Sequence, residues 1–171
     1  MECPSTETKA SGIIPFAPYL TFSVVREITE NMHNQIQAAV TSFIHDSHMP
    51  EGIDLEGFRR NTLQAIASAT IMGQGGDFWM ATKRGELVAY VLASIGNNLD
   101  GKLAYQVSQA WVRKDYRRTP IVREWWGQIK ERARNCMCGH LVIMSSRNPK
   151  AYERFLGDGV KKYADLLKMS L

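Results

Sequence analysis

Cysteine is scarce in this 171-residue chain: Cys3, Cys136 and Cys138 are the only three. An odd number cannot pair completely, which argues against a disulfide framework and suits a reducing compartment. No apolar run has the roughly 20 residues needed to cross a bilayer. The start, MECPSTETKASGIIPFAPY, lacks a basic stretch followed by a long apolar one, so it does not read as a secretion signal. The expectation is a soluble cytoplasmic protein. Nothing repeats, no tract is of low complexity, and no linker divides the chain.

What the chain does have is an ordinary globular composition, 44% apolar and 22% charged. Its length suits one domain with a core of its own. Residues 1–18 hold three prolines and few periodic apolar positions, and read as an N-terminal arm ahead of a single domain over 19–171. The net charge of +4 is uneven: from 113 to 134 there are eight Lys/Arg against three Asp/Glu, a local +5, leaving −1 elsewhere. Such a strip can attract phosphate, nucleic acid or an acidic protein face, or be a solvated helix face.

Periodicity predicts the elements. LTFSVV (20–25) alternates as a strand. After Thr29, a plausible N-cap, Met32, Ile36, Ala39, Val40 and Phe43 recur at helical spacing. A second helix follows Asp54, with Leu55, Phe58, Leu63, Ile66, Ala67 and Thr70 on its apolar face, and GQGG stops it. Residues 77–95 read as a hairpin about KRGE, and 103–112 as the next strand. A helix over 120–135 starts at Pro120, a residue favoured at the first helical position, and buries Ile121, Val122, Trp125, Ile129 and Ala133. A buried strand (141–146), a short helix (149–156) and a last strand (163–168) follow. The order is β-α-α-β-β-β-α-β-α-β, an α/β (α+β) chain.

Two local patterns add to that order. Val112, Tyr116, Arg117 and Ile121 fall where a strand meets a helix, and Asn148, Ala151, Phe155, Gly159 and Val160 follow later. Together these resemble the GNAT superfamily of N-acyltransferases over roughly 20–171. The resemblance implies a mixed, mostly antiparallel central sheet flanked by helices. It also implies that the strand-to-helix segment, Val-x-Pro-x-Tyr-Arg-Gly-x-Gly-x-Gly/Ala in the family, holds the diphosphate of acetyl-CoA. The corresponding residues would be Arg117, Arg118, Thr119 and Ile121, with Asn148 beside them.

Several positions depart from the family pattern. Arg118, Pro120 and Val122 replace its small residues; Pro120 removes an N–H donor and Val122 brings a branched side chain. Each charge-assisted hydrogen bond lost costs about 1.5–3 kcal/mol. Phe155 stands where the family's tyrosine protonates the departing thiolate, so the acid would be Tyr152, three residues earlier, or water. On the fourth strand, Gln106, Ser108 and Gln109 offer no base near neutral pH. The expectation is therefore a GNAT-like scaffold with a degraded site, no cofactor and no acyl transfer, acting through protein contacts. Degraded GNAT-like domains resemble internal proteins of short-tailed bacteriophage particles, so a virion location is a further expectation. The alternative is an acetyl-CoA-dependent N-acetyltransferase with an atypical loop, and a nucleic-acid-binding module is the third reading.

Two further groups of residues could form sites of their own. His45 and His48 lie one helical turn apart, and Cys136, Cys138 and His140 sit close together, but neither set has the ligand pairs of a structural metal site, and no metal is expected. Trp126 with Arg123 and Lys130 forms a candidate protein-contact surface, as does the N-terminal arm. Trp125 falls on the core stripe, so base stacking is disfavoured and nucleic acid is not the expected partner.

Overall fold

A computed structural model describes residues 20–47, 49, 51–72, 76–98 and 100–144. Five strands form one sheet in the order β1 (Leu20–Val24), β2 (Gly76–Lys83), β3 (Glu86–Asn97), β4 (Leu103–Val112) and β5 (His140–Ile143). Neighbours run antiparallel except β4 and β5, which are parallel. Three helices, α1 (Glu30–Asp46), α2 (Leu55–Ala67) and α3 (Pro120–Asn135), complete the described part. This is the α/β, GNAT-like arrangement that the sequence predicts. None of these helices is long and apolar enough to cross a membrane.

The local causes are the ones legible in the sequence. Thr29 caps α1 by accepting from the Met32 N–H, and Asp54 caps α2 by accepting from the Gly57 N–H. Arg84 (φ 53°) and Gly85 (φ 82°) both take positive φ at the tip of the β2–β3 hairpin. That is what the strand-matching two-residue turn requires. Past α2 the chain makes a π turn, Ser68–Met72, in which the Thr70 hydroxyl donates to the Ile66 carbonyl.

Helices cover both faces of the sheet. On one, Ile36, Ala39 and Val40 of α1 and Ile66 of α2 pack against Phe78, Tyr90 and Trp111. On the other, Val122, Trp125, Trp126, Ile129 and Ala133 of α3 pack against Trp79, Val91, Tyr105 and Val107. β3 is accordingly buried without alternation from Leu87 to Ala93, as a strand enclosed on both faces must be. Leu55 departs from the predicted core: as the first residue of α2 it lies at the helix end and is 49% exposed.

The feature that positions the site is a bulge. Leu92 pairs with Gln109 and Ala93 with Val107, so Ser108 is an extra residue in β4. β5 pairs with β4 only from Ala104 to Val107, extended by the Met144 N–H to the Val107 carbonyl. Beyond the bulge no strand among the described residues lies against the outer edge of β4. The expected last helix and last strand, with Asn148, Tyr152 and Phe155, fall outside the described residues, as do the N-terminal arm and His48.

Candidate active site

The outer edge of β4, open among the described residues, has a defined chemistry. The Arg113 N–H donates to the Val88 carbonyl, so residues 109, 111 and 113 turn their main-chain groups toward β3. Ala110 and Val112, alternating with them, present theirs to the open edge. Their side chains pack on the α3 side, while Trp111 goes to the α1–α2 side.

At the end of this edge the chain turns through Lys114–Tyr116 into α3. Pro120 is the first helical residue and Thr119 the N-cap, but the Thr119 hydroxyl donates to the Tyr116 carbonyl at 2.8 Å instead of accepting from the helix. α3 has no side-chain cap and no acidic residue in its first turn, whereas α1 and α2 have both. Pro120 supplies no donor, and the Val122 N–H turns back to the Thr119 carbonyl at 3.3 Å. The Ile121 amide is left without an intrahelical acceptor, as at any helix start. An uncapped helix N-terminus flanked by cations favours an anion.

The basic side chains are not equivalent. Arg117 points its Nε at the Val112 carbonyl, 2.7 Å away on the open edge, and its Nη2 at the Asp46 carboxylate at the end of α1. Lys114 Nζ also reaches Asp46, at 3.1 Å. The Arg117 hydrogen bond, against the effect of burial and with help from Lys114, holds Asp46 below the usual carboxylate range. Arg113 is engaged by Asp115 and Glu86 and lies 4.9 Å from the Tyr116 ring centre, with Lys83 at 5.3 Å from the same centre. Arg118 is exposed and joins no ion pair among the described residues. A shallow cavity of about 330 Å³, lined by Lys83, Arg84, Glu86 and Tyr116, adjoins this loop at the hairpin tip.

The polar residues of β4 are committed to the fold. Gln109 is buried, its Nε2 donating to the Thr62 hydroxyl (2.6 Å) and its Oε1 accepting from the Tyr90 hydroxyl (3.1 Å). Burial pushes the Tyr90 phenol well above its ordinary range, so it stays a donor. The Ser108 hydroxyl donates to the Leu92 carbonyl and Gln106 to the Asn97 carbonyl. Trp126 is not a surface anchor: it is 3% exposed, with its ring centre 6.4 Å from that of Trp125. The buried stripe of α3 is wide enough to take both neighbours. Arg123 is exposed and Lys130 half-buried on the same helix. Asp46 had no signal in the sequence, because its partners lie far along the chain.

The acetyltransferase (GNAT) family model matches residues 41–157. By sequence, no curated protein matches the chain. Among solved structures, the ribosomal-protein-alanine N-acetyltransferase of Brucella melitensis biovar Abortus 2308 superposes with a TM-score of 0.62 at 15% identity, covering 88% of this chain and 100% of that one. A predicted acetyltransferase from Clostridium acetobutylicum, in a structure with acetyl-CoA, gives 0.64 at 8% identity over 87% and 96%. A GNAT family acetyltransferase from Staphylococcus aureus gives 0.60 at 6% identity over 88% and 98%. These likenesses concern the fold, and the family match spans more than half of the sequence. The chain belongs to the acetyltransferase (GNAT) family.

Proposed function

We propose that the protein is an acetyl-CoA-dependent N-acetyltransferase. The observation that carries this reading is the start of α3, without a side-chain cap or an acidic first turn, standing beside an outer edge of β4 that meets no strand beyond the bulge among the described residues. The main-chain groups of Ala110 and the Val112 N–H suit an extended amide-bearing arm, the Val112 carbonyl being taken by Arg117, and the Ile121 amide, Thr119 and Arg118 suit the diphosphate. The family resemblance assigns Asn148 to the same cofactor. Acetyl-CoA supplies the activated acyl group. Tyr152 gives its proton to the departing sulfur. With Gln109 held between Tyr90 and Thr62, no residue of β4 takes the proton of the amine, which passes to water. The rate therefore rises with pH until the substrate amine is fully deprotonated. The test is thiol release from acetyl-CoA in the presence of a panel of amines. Release that depends on amine and is lost in Tyr152→Phe supports the reading; none above the no-enzyme rate rejects it.

One observation favours a second reading, a non-catalytic family member working through protein contacts, such as a phage virion component. Pro120 removes a main-chain donor at the point where a diphosphate needs it, and Arg117 is already engaged. This reading predicts no acetyl-CoA binding at millimolar concentration and co-purification with a specific protein.

A further inference from the structure

Asp46 is the last residue of α1. A carboxylate there opposes the helix dipole, whose C-terminal end favours cations. It is nonetheless enclosed, 15% exposed, between Arg117 and Lys114 of the segment that leads into α3. Arg117 is in turn fixed by its Nε to the Val112 carbonyl. Its guanidinium thus joins the end of α1 to the outer edge of β4, from a position two residues ahead of Thr119 in the chain, and it remains one-third exposed. An arriving diphosphate meets a cation already neutralised by a carboxylate of the same chain.

We propose that Asp46 is a built-in competitor for the anion site, setting how tightly the loop binds the diphosphate of a nucleotide. This rests on the acyl-CoA reading of the α3 start, but it concerns only the charge that Asp46 places on Arg117 and Lys114. Lys114 is 77% exposed and screened, so its share of the pairing breaks readily. Arg117 keeps its hold on Val112 while exchanging Asp46 for phosphate oxygens, because its planar fork has donors for both. Removing the carboxylate leaves both cations for the ligand. An Asp46 that merely positioned Arg117 would have the opposite effect, since its loss would loosen the fork and weaken binding.

The two roles separate by calorimetry at fixed ionic strength, with inorganic pyrophosphate and acetyl-CoA titrated separately into wild type, Asp46→Asn and the double variant Asp46→Asn/Arg117→Gln. The expected result is about tenfold tighter pyrophosphate binding in D46N, with the gain absent from the double variant. Asp46→Ser, which also removes the charge, replaces D46N where the amide fails to give a folded protein. Pyrophosphate binding unchanged, weaker or undetectable in the folded variant overturns the inference. Acetyl-CoA that binds wild type and D46N alike overturns it too, while leaving the acyltransferase reading intact. A pyrophosphate gain as expected, with no acetyl-CoA binding by any variant, rejects the acyltransferase reading and supports Asp46 as competitor.

Discussion

Tyr105 reaches over the middle strand of the sheet to Asp77. Its hydroxyl donates to the Asp77 carboxylate at 2.9 Å and accepts from the Trp79 indole N–H at 2.8 Å. The strand between them carries Ala93, paired with Asp77, and so small a side chain leaves the path clear. Arg132 of α3 grips the same carboxylate with two nitrogens, at 2.9 and 3.2 Å, and Arg26 joins at 2.7 Å. A carboxylate 2% exposed is thus held by β4, α3 and the residue following Val25, and the network ties α3 to the sheet at the end away from Pro120.

Tyr105→Phe removes the donor to Asp77 and the acceptor for Trp79 while preserving the ring. A buried polar group left unmatched costs about 1–3 kcal/mol. Urea unfolding is expected to show a loss in that range with an unchanged slope. A loss under about 0.5 kcal/mol would mean that water replaces the hydroxyl.

Burial works to raise the Asp77 pKa, but the hydrogen bonds and charge of Arg132, with Tyr105 and Arg26, outweigh it and hold the carboxyl below its ordinary value. A lowered folded pKa gives stability that is fully present above the unfolded value, about 3.9, and is lost as pH falls through the still lower folded one. Asp77→Asn is expected to lose about 3 kcal/mol near neutral pH, the lower end for breaking a buried pair because Arg26 is half-exposed. The difference between wild type and D77N should shrink below pH 4, as measured by denaturation at several pH values. Parallel profiles would contradict the assignment.

Met137 follows α3 with a left-handed φ of 57°, and the chain closes there with the Cys138 N–H on the Ala133 carbonyl. Glycine is the usual residue in such a helix end, and Met137 is 77% exposed, so its side chain contributes little packing. Met137→Gly is expected to stabilise by about 0.5–1 kcal/mol, read from thermal unfolding.

The elements that periodicity and caps define were legible from the sequence. Thr29, Asp54, Pro120 and the Arg84–Gly85 turn each act through neighbours a few residues away, and α3 begins and ends where its spacing predicts. The motif around Tyr116 and Arg117 likewise placed the loop. Relationships through space were not legible. Nothing in the sequence couples Arg26, Asp77, Tyr105 and Arg132, or Asp46 with Arg117, which is 71 residues away. Trp126 looked like a surface residue because a narrow apolar stripe leaves out one of two adjacent tryptophans, whereas the α3 face takes both.

Pro120 is the substitution that most alters the start of α3, because the Val122 side chain, expected from the sequence to crowd the diphosphate, is instead buried against the sheet. Replacing Pro120 by glycine returns one donor to the helix start and leaves the core beneath it intact. Acetyl-CoA affinity is expected to rise about tenfold or more, the worth of one charge-assisted hydrogen bond. Equal affinity in fluorescence competition would place the diphosphate away from this turn.

Calorimetric titration of acetyl-CoA into the wild-type protein tests the central claim most directly. Binding at one molecule per chain, weakened at least tenfold in Arg118→Ala and strengthened by Pro120→Gly, is the predicted result. No heat of binding with millimolar acetyl-CoA would contradict it.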